Sequence, residues 1–292
     1  DYCLSELKAL LAIDSPSGFT DKAADHLMQA LESLGYRPEK TRKGGVLCCL
    51  GGEGDGLLLM AHVDTLGGIV SSIKPNGRLQ ISPVGGLRAE NCETENCRIY
   101  SRFSGTYTGT LQIVNASVHV NDDYAGAKRT FRDSEIVIDE NVRTADAVRA
   151  LGIAPGDFVC FDPRTVITES GYIKSRFLDD KLSAAILLAY AKMLRDENRT
   201  PKRRIYLHFT AYEEVGHGAA ASVPDDVTEV LSVDMGGVGD GVTCTEHEVS
   251  ICAKDSGGPY DYSVTTALVQ AARQAGAQYA VDVYPHYGSD AE

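Results

Sequence analysis

Acidic residues and a histidine stand at the ends of three hydrophobic runs in this sequence. Each run has the length and composition of a buried strand, and the polar residues follow closely: His62 and Asp64 after 57–61, Glu213 and Glu214 after 205–209, and Asp234 after 230–233. In an open α/β sheet, ligands bind at the carboxyl ends of the strands, so we expect these side chains to lie together. One imidazole with several carboxylates is a suitable ligand set for two divalent cations. The pattern therefore predicts a metal hydrolase.

The segment around His62 carries the strongest single signal. Residues two apart in an extended segment face the same side, so Asp64 can reach the His62 ring. A carboxylate in that place fixes the imidazole tautomer and strengthens the nitrogen that binds a metal ion. A lone histidine after a strand is usually structural, but the nearby Asp64, Gly67 and Gly68 favour a metal ligand with a supporting carboxylate.

Two further acidic pairs fit the same chemistry. Asp179 and Asp180 precede a predicted helix, where acids are common as caps, but a carboxylate there can also bridge two cations about 3.5–4 Å apart. Glu213 and Glu214 are adjacent and should point in different directions, so one can bind metal while the other accepts a proton from the attacking water. The alternative is two solvated acids at a helix start. Asp234 supplies a further carboxylate.

Two kinds of pattern alternate along the chain and indicate how these residues are held. Helical spacing over 4–12 and 20–34, with a strand leading to His62, predicts an α/β start. Between about Gly67 and Pro163 the sequence changes to short alternating runs separated by glycine-containing turns. This spacing predicts a small β-barrel or sandwich.

The α/β pattern resumes after Thr168. In a helix predicted over 180–196, one apolar stripe should face the core: Leu182, Ile186, Ala189 and Met193. The predicted fold is a discontinuous α/β domain with a mixed sheet and helices on both faces, built from 1–66 and 164–292. A β domain formed by 67–163 is inserted into it.

Composition limits the functional class. The chain has 292 residues, 43% of them hydrophobic, which is enough for a substantial core. Its net charge of −13 argues against a nucleic-acid partner, which would need a basic surface. No signal peptide is visible, and no apolar stretch reaches the ~20 residues of a membrane span. The eight cysteines contain no C-x-x-C pair and favour free thiols in a reducing compartment, so we expect a cytoplasmic protein.

Four ordered motifs resemble those of the tetrahedral, or glutamyl, aminopeptidase family of co-catalytic metallopeptidases, some of which have been called endoglucanases. They are AHVDTLG at 61–67, FLDDK at 177–181, YEEVG at 212–216 and SVDMG at 232–236. The likeness runs through most of the chain and includes NASVH at 115–119, within the predicted insertion.

The resemblance implies a role for each candidate residue. By this likeness, His62 and Asp234 bind one metal ion, Glu214 binds a second, Asp179 bridges both, Glu213 is the general base and Asp64 supports His62. The implied cofactor is two divalent ions per subunit, with zinc or cobalt expected and manganese compatible with the carboxylate-rich set. The implied substrate is a peptide N-terminus. The family also assembles through its inserted β domain into hollow tetrahedral dodecamers, so we expect self-association.

One departure from the family pattern concerns its last metal ligand. That ligand is a histidine some tens of residues beyond the segment resembling 287–291, and this sequence stops at Glu292, while His286 lies upstream of the segment and does not match. We therefore expect the sequence to be shortened at its C-terminus. Two alternatives stay open: a related metallo-carboxypeptidase or deacylase, and a non-catalytic assembly protein. The early β insertion favours the aminopeptidase, and Glu213 favours an enzyme.

Overall fold

Helices and strands occur throughout the residues that the computed structural model describes, 1–220 and 222–291. The helices are α1 (Tyr2–Leu11), α2 (Asp21–Ser33), α3 (Ala145–Ala150), α4 (Leu178–Asp196) and α5 (Tyr262–Ala275). The strands are β1 (Glu39–Lys40), β2 (Val46–Gly51), β3 (Glu53–His62), β4 (Gly67–Ile73), β5 (Leu79–Val84), β6 (Asn96–Ser101), β7 (Gly105–Ile113), β8 (Ser134–Ile138), β9 (Phe158–Phe161), β10 (Val166–Ile167), β11 (Ile173–Lys174), β12 (Arg203–Thr210), β13 (Val227–Ser232), β14 (Val249–Lys254) and β15 (Tyr279–Val283).

A five-stranded mixed sheet determines where the candidate residues lie. Its strand order is β1-β2-β12-β3-β13. The strands β12 and β13 both run parallel to β3, whereas β2 is antiparallel to β1 and to β12. His62 ends β3 level with Thr210 of β12, and Met60 is level with Ser232 of β13. The carboxyl ends of three parallel strands therefore meet at one edge of the sheet.

The main core lies between this sheet and the helices α1, α2 and α4. The sequence-based prediction of which face of α4 is buried is wrong. Ile186 is 44% exposed and Met193 is 39% exposed, whereas Leu187 and Leu188 are buried. The helix is apolar on nearly all sides, and small residues such as Ala184 allow close packing, so the bulkiest side chains do not mark its buried face.

The middle of the chain forms a closed barrel. Six antiparallel strands pair in the order β4-β5-β8-β7-β6-β9, and β9 pairs with β4 to close it. Alternate residues point inward and form a second core, which includes Leu79, Ile99, Leu111 and Ile136. The predicted fold class, a mixed-sheet α/β structure with an additional small β-barrel, is confirmed.

Two small sheets complete the described part of the chain. The strands β10 and β11 form an antiparallel hairpin, and β14 pairs with β15 in parallel through a connection that contains α5. The sequence pattern does not predict β14, because Ile251 is the one fully buried residue of this short strand. None of the helices described here combines the length and the apolar character needed to cross a lipid bilayer.

Leu188→Ala should destabilise the protein by about 2–5 kcal/mol, because it removes a fully buried side chain and leaves a cavity. Ile186→Ala, two residues away on the same helix, is the control and should change the free energy of unfolding by less than about 0.5 kcal/mol. Urea unfolding of the two variants and of the wild type measures the difference. Equal losses would mean that α4 buries a different face.

Candidate metal centre

The candidate side chains meet at the carboxyl edge of the five-stranded sheet. The buried imidazole of His62 places its Nε2 atom 2.9 Å from Oδ1 of Asp179 and 3.5 Å from Oε2 of Glu213. Asp179 lies at the irregular start of α4, where a cis peptide bond joins it to Asp180. Glu213 lies three residues beyond β12. Residues far apart in sequence thus surround one imidazole nitrogen.

The possible ligand atoms form two groups that share His62. One group contains His62, Asp180 and Asp234, and the other contains His62, Asp179 and Glu214. Within each group the ligand atoms lie within 4.8 Å of one another. Neighbouring groups of this composition fit a pair of divalent cations that prefer nitrogen and carboxylate ligands.

The other nitrogen of the His62 ring faces Asp64. His62 Nδ1 lies 2.9 Å from the backbone oxygen of Asp64 and 3.6 Å from its carboxylate Oδ1. The backbone carbonyl is therefore the nearer partner. A proton on Nδ1, donated to this carbonyl, leaves Nε2 free to bind a metal ion. Asp64 also accepts the backbone N–H groups of Glu213 and Glu214 at 3.2 and 3.3 Å, so it fixes the turn that follows β12.

Burial and crowding alter the acidity of the carboxylates. Burial, with a further contribution from the charge of Asp234, raises the pKa of Glu213 to about 7, although His62 opposes the shift. Burial and the charge of Asp179 raise the pKa of Glu214 to about 8. Cations bound between such groups would offset their repulsion.

Asp180 has a place in the cluster that its sequence position alone did not reveal. It is fully buried, and its Oδ2 accepts the backbone N–H of His62 at 3.1 Å. Its Oδ1 has no hydrogen-bond partner within residues 1–220 and 222–291. Burial and the charge of Asp234 raise the pKa of Asp180 well above its usual range. A buried oxygen without a partner is costly, and a cation would satisfy it. In the sequence, only the position of Asp180 next to Asp179 indicates that it belongs to the site.

Residues near the end of the described chain support Asp234. Ser289 Oγ donates to Asp234 Oδ2 at 2.9 Å, and the backbone N–H of Met235 donates to Oδ1 at 2.6 Å. Burial and the charge of Asp234 raise the pKa of the Tyr287 phenol well above its usual range. No part of the sequence pattern identifies these contacts.

A cavity of about 810 Å³ opens beside Glu213 and Glu214. Its wall includes His217, whose ring stacks on Tyr212 at 5.2 Å between centroids. Its volume falls within the range of small-molecule sites. Two further histidines, His247 and His286, are exposed and belong to neither ligand group.

This site and sheet together have the form of a metal-dependent hydrolase. A family model for the M42 glutamyl aminopeptidases matches residues 44–292, and the chain belongs to this family. YhfE of Bacillus subtilis strain 168, named provisionally as an aminopeptidase, is 41% identical over 287 residues, which cover 98% of this chain and 83% of YhfE.

Solved structures agree on the fold. A TET aminopeptidase from Thaumarchaeota archaeon SCGC AB-539-E09 superposes with a TM-score of 0.91 at 20% identity, covering 99% of this chain and 84% of that one. The Pyrococcus horikoshii TET1 peptidase, which can assemble into a tetrahedron or a large octahedral shell, superposes with a TM-score of 0.86 at 20% identity, covering 99% and 86%. The predicted family and the prediction of an aminopeptidase are confirmed, and use of divalent metal follows from membership of this metallopeptidase family.

Asp180→Asn should stabilise the metal-free protein and weaken its affinity for metal. The amide keeps an oxygen for the His62 N–H but removes a charge that Asp179 and Asp234 repel. Thermal unfolding in chelator and calorimetric titration with Mn²⁺ measure the two effects. Asp146→Asn, at an exposed position on α3, serves as the control. A metal-free variant less stable than the wild type would contradict this account of the repulsion.

Proposed function

We propose that this protein is a dinuclear metallo-aminopeptidase that removes N-terminal residues from peptides, with Glu213 as general base. One observation carries the proposal. Glu213 lies 3.5 Å from His62 Nε2, yet it belongs to neither ligand group, whereas its neighbour Glu214 belongs to one of them. Two adjacent glutamates therefore occupy different places relative to the same imidazole.

The proposed ligands divide between the two groups. His62 and Asp234 would hold one ion, and Glu214 would hold the other. Asp179 is proposed as the bridge because its side chain is 47% exposed and its Oδ1 faces His62 Nε2, whereas Asp180 belongs only to the group of His62 and Asp234. When bound, the divalent ions polarise the peptide carbonyl and make a water molecule more acidic.

The protein's own groups perform the remaining steps. Glu213 receives the proton of the attacking water and delivers it to the departing amine. Its carboxylate lies 3.5 Å from His62 Nε2, close enough to the proposed ligands to make both transfers. Asp64 keeps the His62 ring and the Glu213–Glu214 turn in place through the contacts described above. The cavity beside this turn receives the end of the peptide.

We also propose that 67–163 forms a separate domain, inserted between 1–66 and 164–292, through which the protein self-associates. The barrel carries none of the proposed ligands, so a non-catalytic role suits it. Its surface presents exposed apolar side chains, among them Phe103, 92% exposed, and Val120, 76% exposed. The assembled state of the structurally similar TET1 peptidase supports the same proposal.

Eight free cysteines favour a cytoplasmic location.

The function is tested by comparing Glu213→Gln with Glu214→Gln. The wild type should lose aminopeptidase activity in chelator and regain it with Zn²⁺, Co²⁺ or Mn²⁺. Glu213→Gln should keep its metal content and lower kcat by about 10²–10⁴, because an amide cannot accept the proton. Glu214→Gln, an identical chemical change one residue away, should bind less metal. Near wild-type kcat in Glu213→Gln, or activity in rigorously metal-free protein, would refute the proposal.

Self-association is tested by light scattering of the complete protein. The mass should be far above the 31.3 kDa of this chain. Replacing Val118 and Val120 together by Asp should lower the mass, because buried unpaired charge opposes association. Val166→Asp, at an exposed position outside the barrel, is the control. A monomeric wild type, or an equal effect of the control, would argue against the barrel as the interface.

A further inference from the structure

Residues 13–17, here termed the linking segment, lie directly alongside the strand end that carries His62. The backbone N–H of Thr65 donates to the oxygen of Ser15 at 2.9 Å, and the N–H of Ser17 donates to the oxygen of Thr65 at 3.3 Å. The hydroxyl of Ser15 donates to the backbone oxygen of Val63 at 2.7 Å. The linking segment is thus paired with the residues that immediately follow the metal ligand.

Ser17 extends this pairing to a charged group. Its hydroxyl donates to Oδ2 of Asp64, and both residues are buried. The other oxygen of this carboxylate faces the His62 ring and accepts the backbone N–H of Glu213. Within the described residues, Ser17 supplies the one hydroxyl donor to Asp64. A single carboxylate therefore joins three parts of the chain: the linking segment, the end of β3 and the turn after β12.

The linking segment is itself held from two sides. On the barrel side, Arg98 Nη2 and the hydroxyl of Tyr100, both on β6, donate to Asp14 at 2.8 and 2.6 Å. On the helix side, the buried ammonium of Lys181 donates to the backbone oxygen of Ile13 at 2.6 Å. Lys181 directly follows Asp180 on α4. The position of Ser17 is therefore set by the barrel and by the helix that carries Asp179 and Asp180.

Close packing leaves the linking segment little room to move. A Cβ atom built on Gly67, the first residue of β4, would lie 2.6 Å from the Cβ of Pro16, which is closer than such atoms approach. Glycine at this position allows the linking segment to lie against the start of the barrel. Ser17 therefore presents its hydroxyl to Asp64 from a fixed backbone.

We propose that Ser17 is a positioning residue for the metal centre. By holding the side chain of Asp64, it fixes the residue whose backbone oxygen lies 2.9 Å from the His62 Nδ1 atom and whose carboxylate accepts the N–H groups of the Glu213–Glu214 turn. Because Arg98 and Tyr100 of the barrel donate to Asp14, the position of the linking segment, and so of Ser17, depends on how the barrel packs against it. The inference rests on the proposed dinuclear function and adds a residue that lies outside both ligand groups.

If the Ser17 hydroxyl were removed, Asp64 Oδ2 would retain only the Glu214 N–H as a donor, at 3.3 Å. The carboxylate would then be free to rotate. Loss of groups that orient metal ligands typically lowers metal affinity by 10–100-fold. Because the backbone donors remain, we expect Ser17→Ala to weaken binding by about tenfold, at the lower end of that range.

The experiment measures Co²⁺ binding by the complete protein, after removal of metal with chelator, from visible absorption and calorimetry. Ser17→Ala should bind Co²⁺ about tenfold more weakly than the wild type, with an altered absorption spectrum. Ser17→Thr, which keeps the hydroxyl, should restore both. Ser17→Val has nearly the shape of the Thr variant without the hydroxyl, so the Thr–Val comparison decides the question even if Ser17→Ala folds poorly.

Ser15→Ala is the matched control. It removes a buried hydroxyl of the same segment, whose partner is a backbone oxygen and not Asp64. It should lower the thermal midpoint of the metal-free protein and weaken Co²⁺ binding less than Ser17→Ala does. Wild-type affinity in both Ser17→Ala and Ser17→Val, or equal weakening in Ser15→Ala, would overturn the inference. Absence of Co²⁺ binding by the wild type would instead refute the proposed function.

Discussion

Mutual repulsion among buried carboxylates is the constraint on which this structure depends. Asp180, Glu214 and Asp234 all lie within reach of one imidazole, and burial raises the pKa of each. Charges placed together in this way destabilise a folded chain unless ions or hydrogen bonds offset them. The backbone must hold them in place: β12 and β13, which lead to Glu214 and Asp234, pair in parallel with β3 on either side, so that the ends of the three strands lie at one edge.

Asp64 differs from the neighbouring acids in the direction in which its pKa is shifted. Burial alone would raise the pKa of this carboxyl, but the nearby His62 ring and hydrogen bonds from Ser17 and the Glu213 N–H lower it below its usual value. The donors around Asp64 keep it ionised, whereas the other acids have few donors and repel one another. The centre therefore combines one fixed anion, which lies beside the imidazole, with several carboxylates whose charge a bound cation would stabilise.

The sequence predicts the parts of the molecule that follow regular periodicity. Hydrophobic runs ending at His62, Glu213 and Asp234 indicate their shared edge, because parallel strands have one polarity. The buried face of α4 could not be predicted, since a helix apolar on most sides has no distinct stripe. Asp180 and Ser17 act from an irregular helix start and a loop, where side-chain direction follows no fixed period.

The strand order also has a consequence for biosynthesis. Both neighbours of β3 in the sheet, β12 and β13, come after the barrel and α4 in the chain. During translation, the apolar β3 therefore leaves the ribosome long before either partner exists, while the barrel has all its strands and can close first. Unpaired apolar strands are prone to aggregate. A nascent chain of this fold must consequently shield β3 until β12 arrives, a task suited to chaperones that bind extended apolar segments.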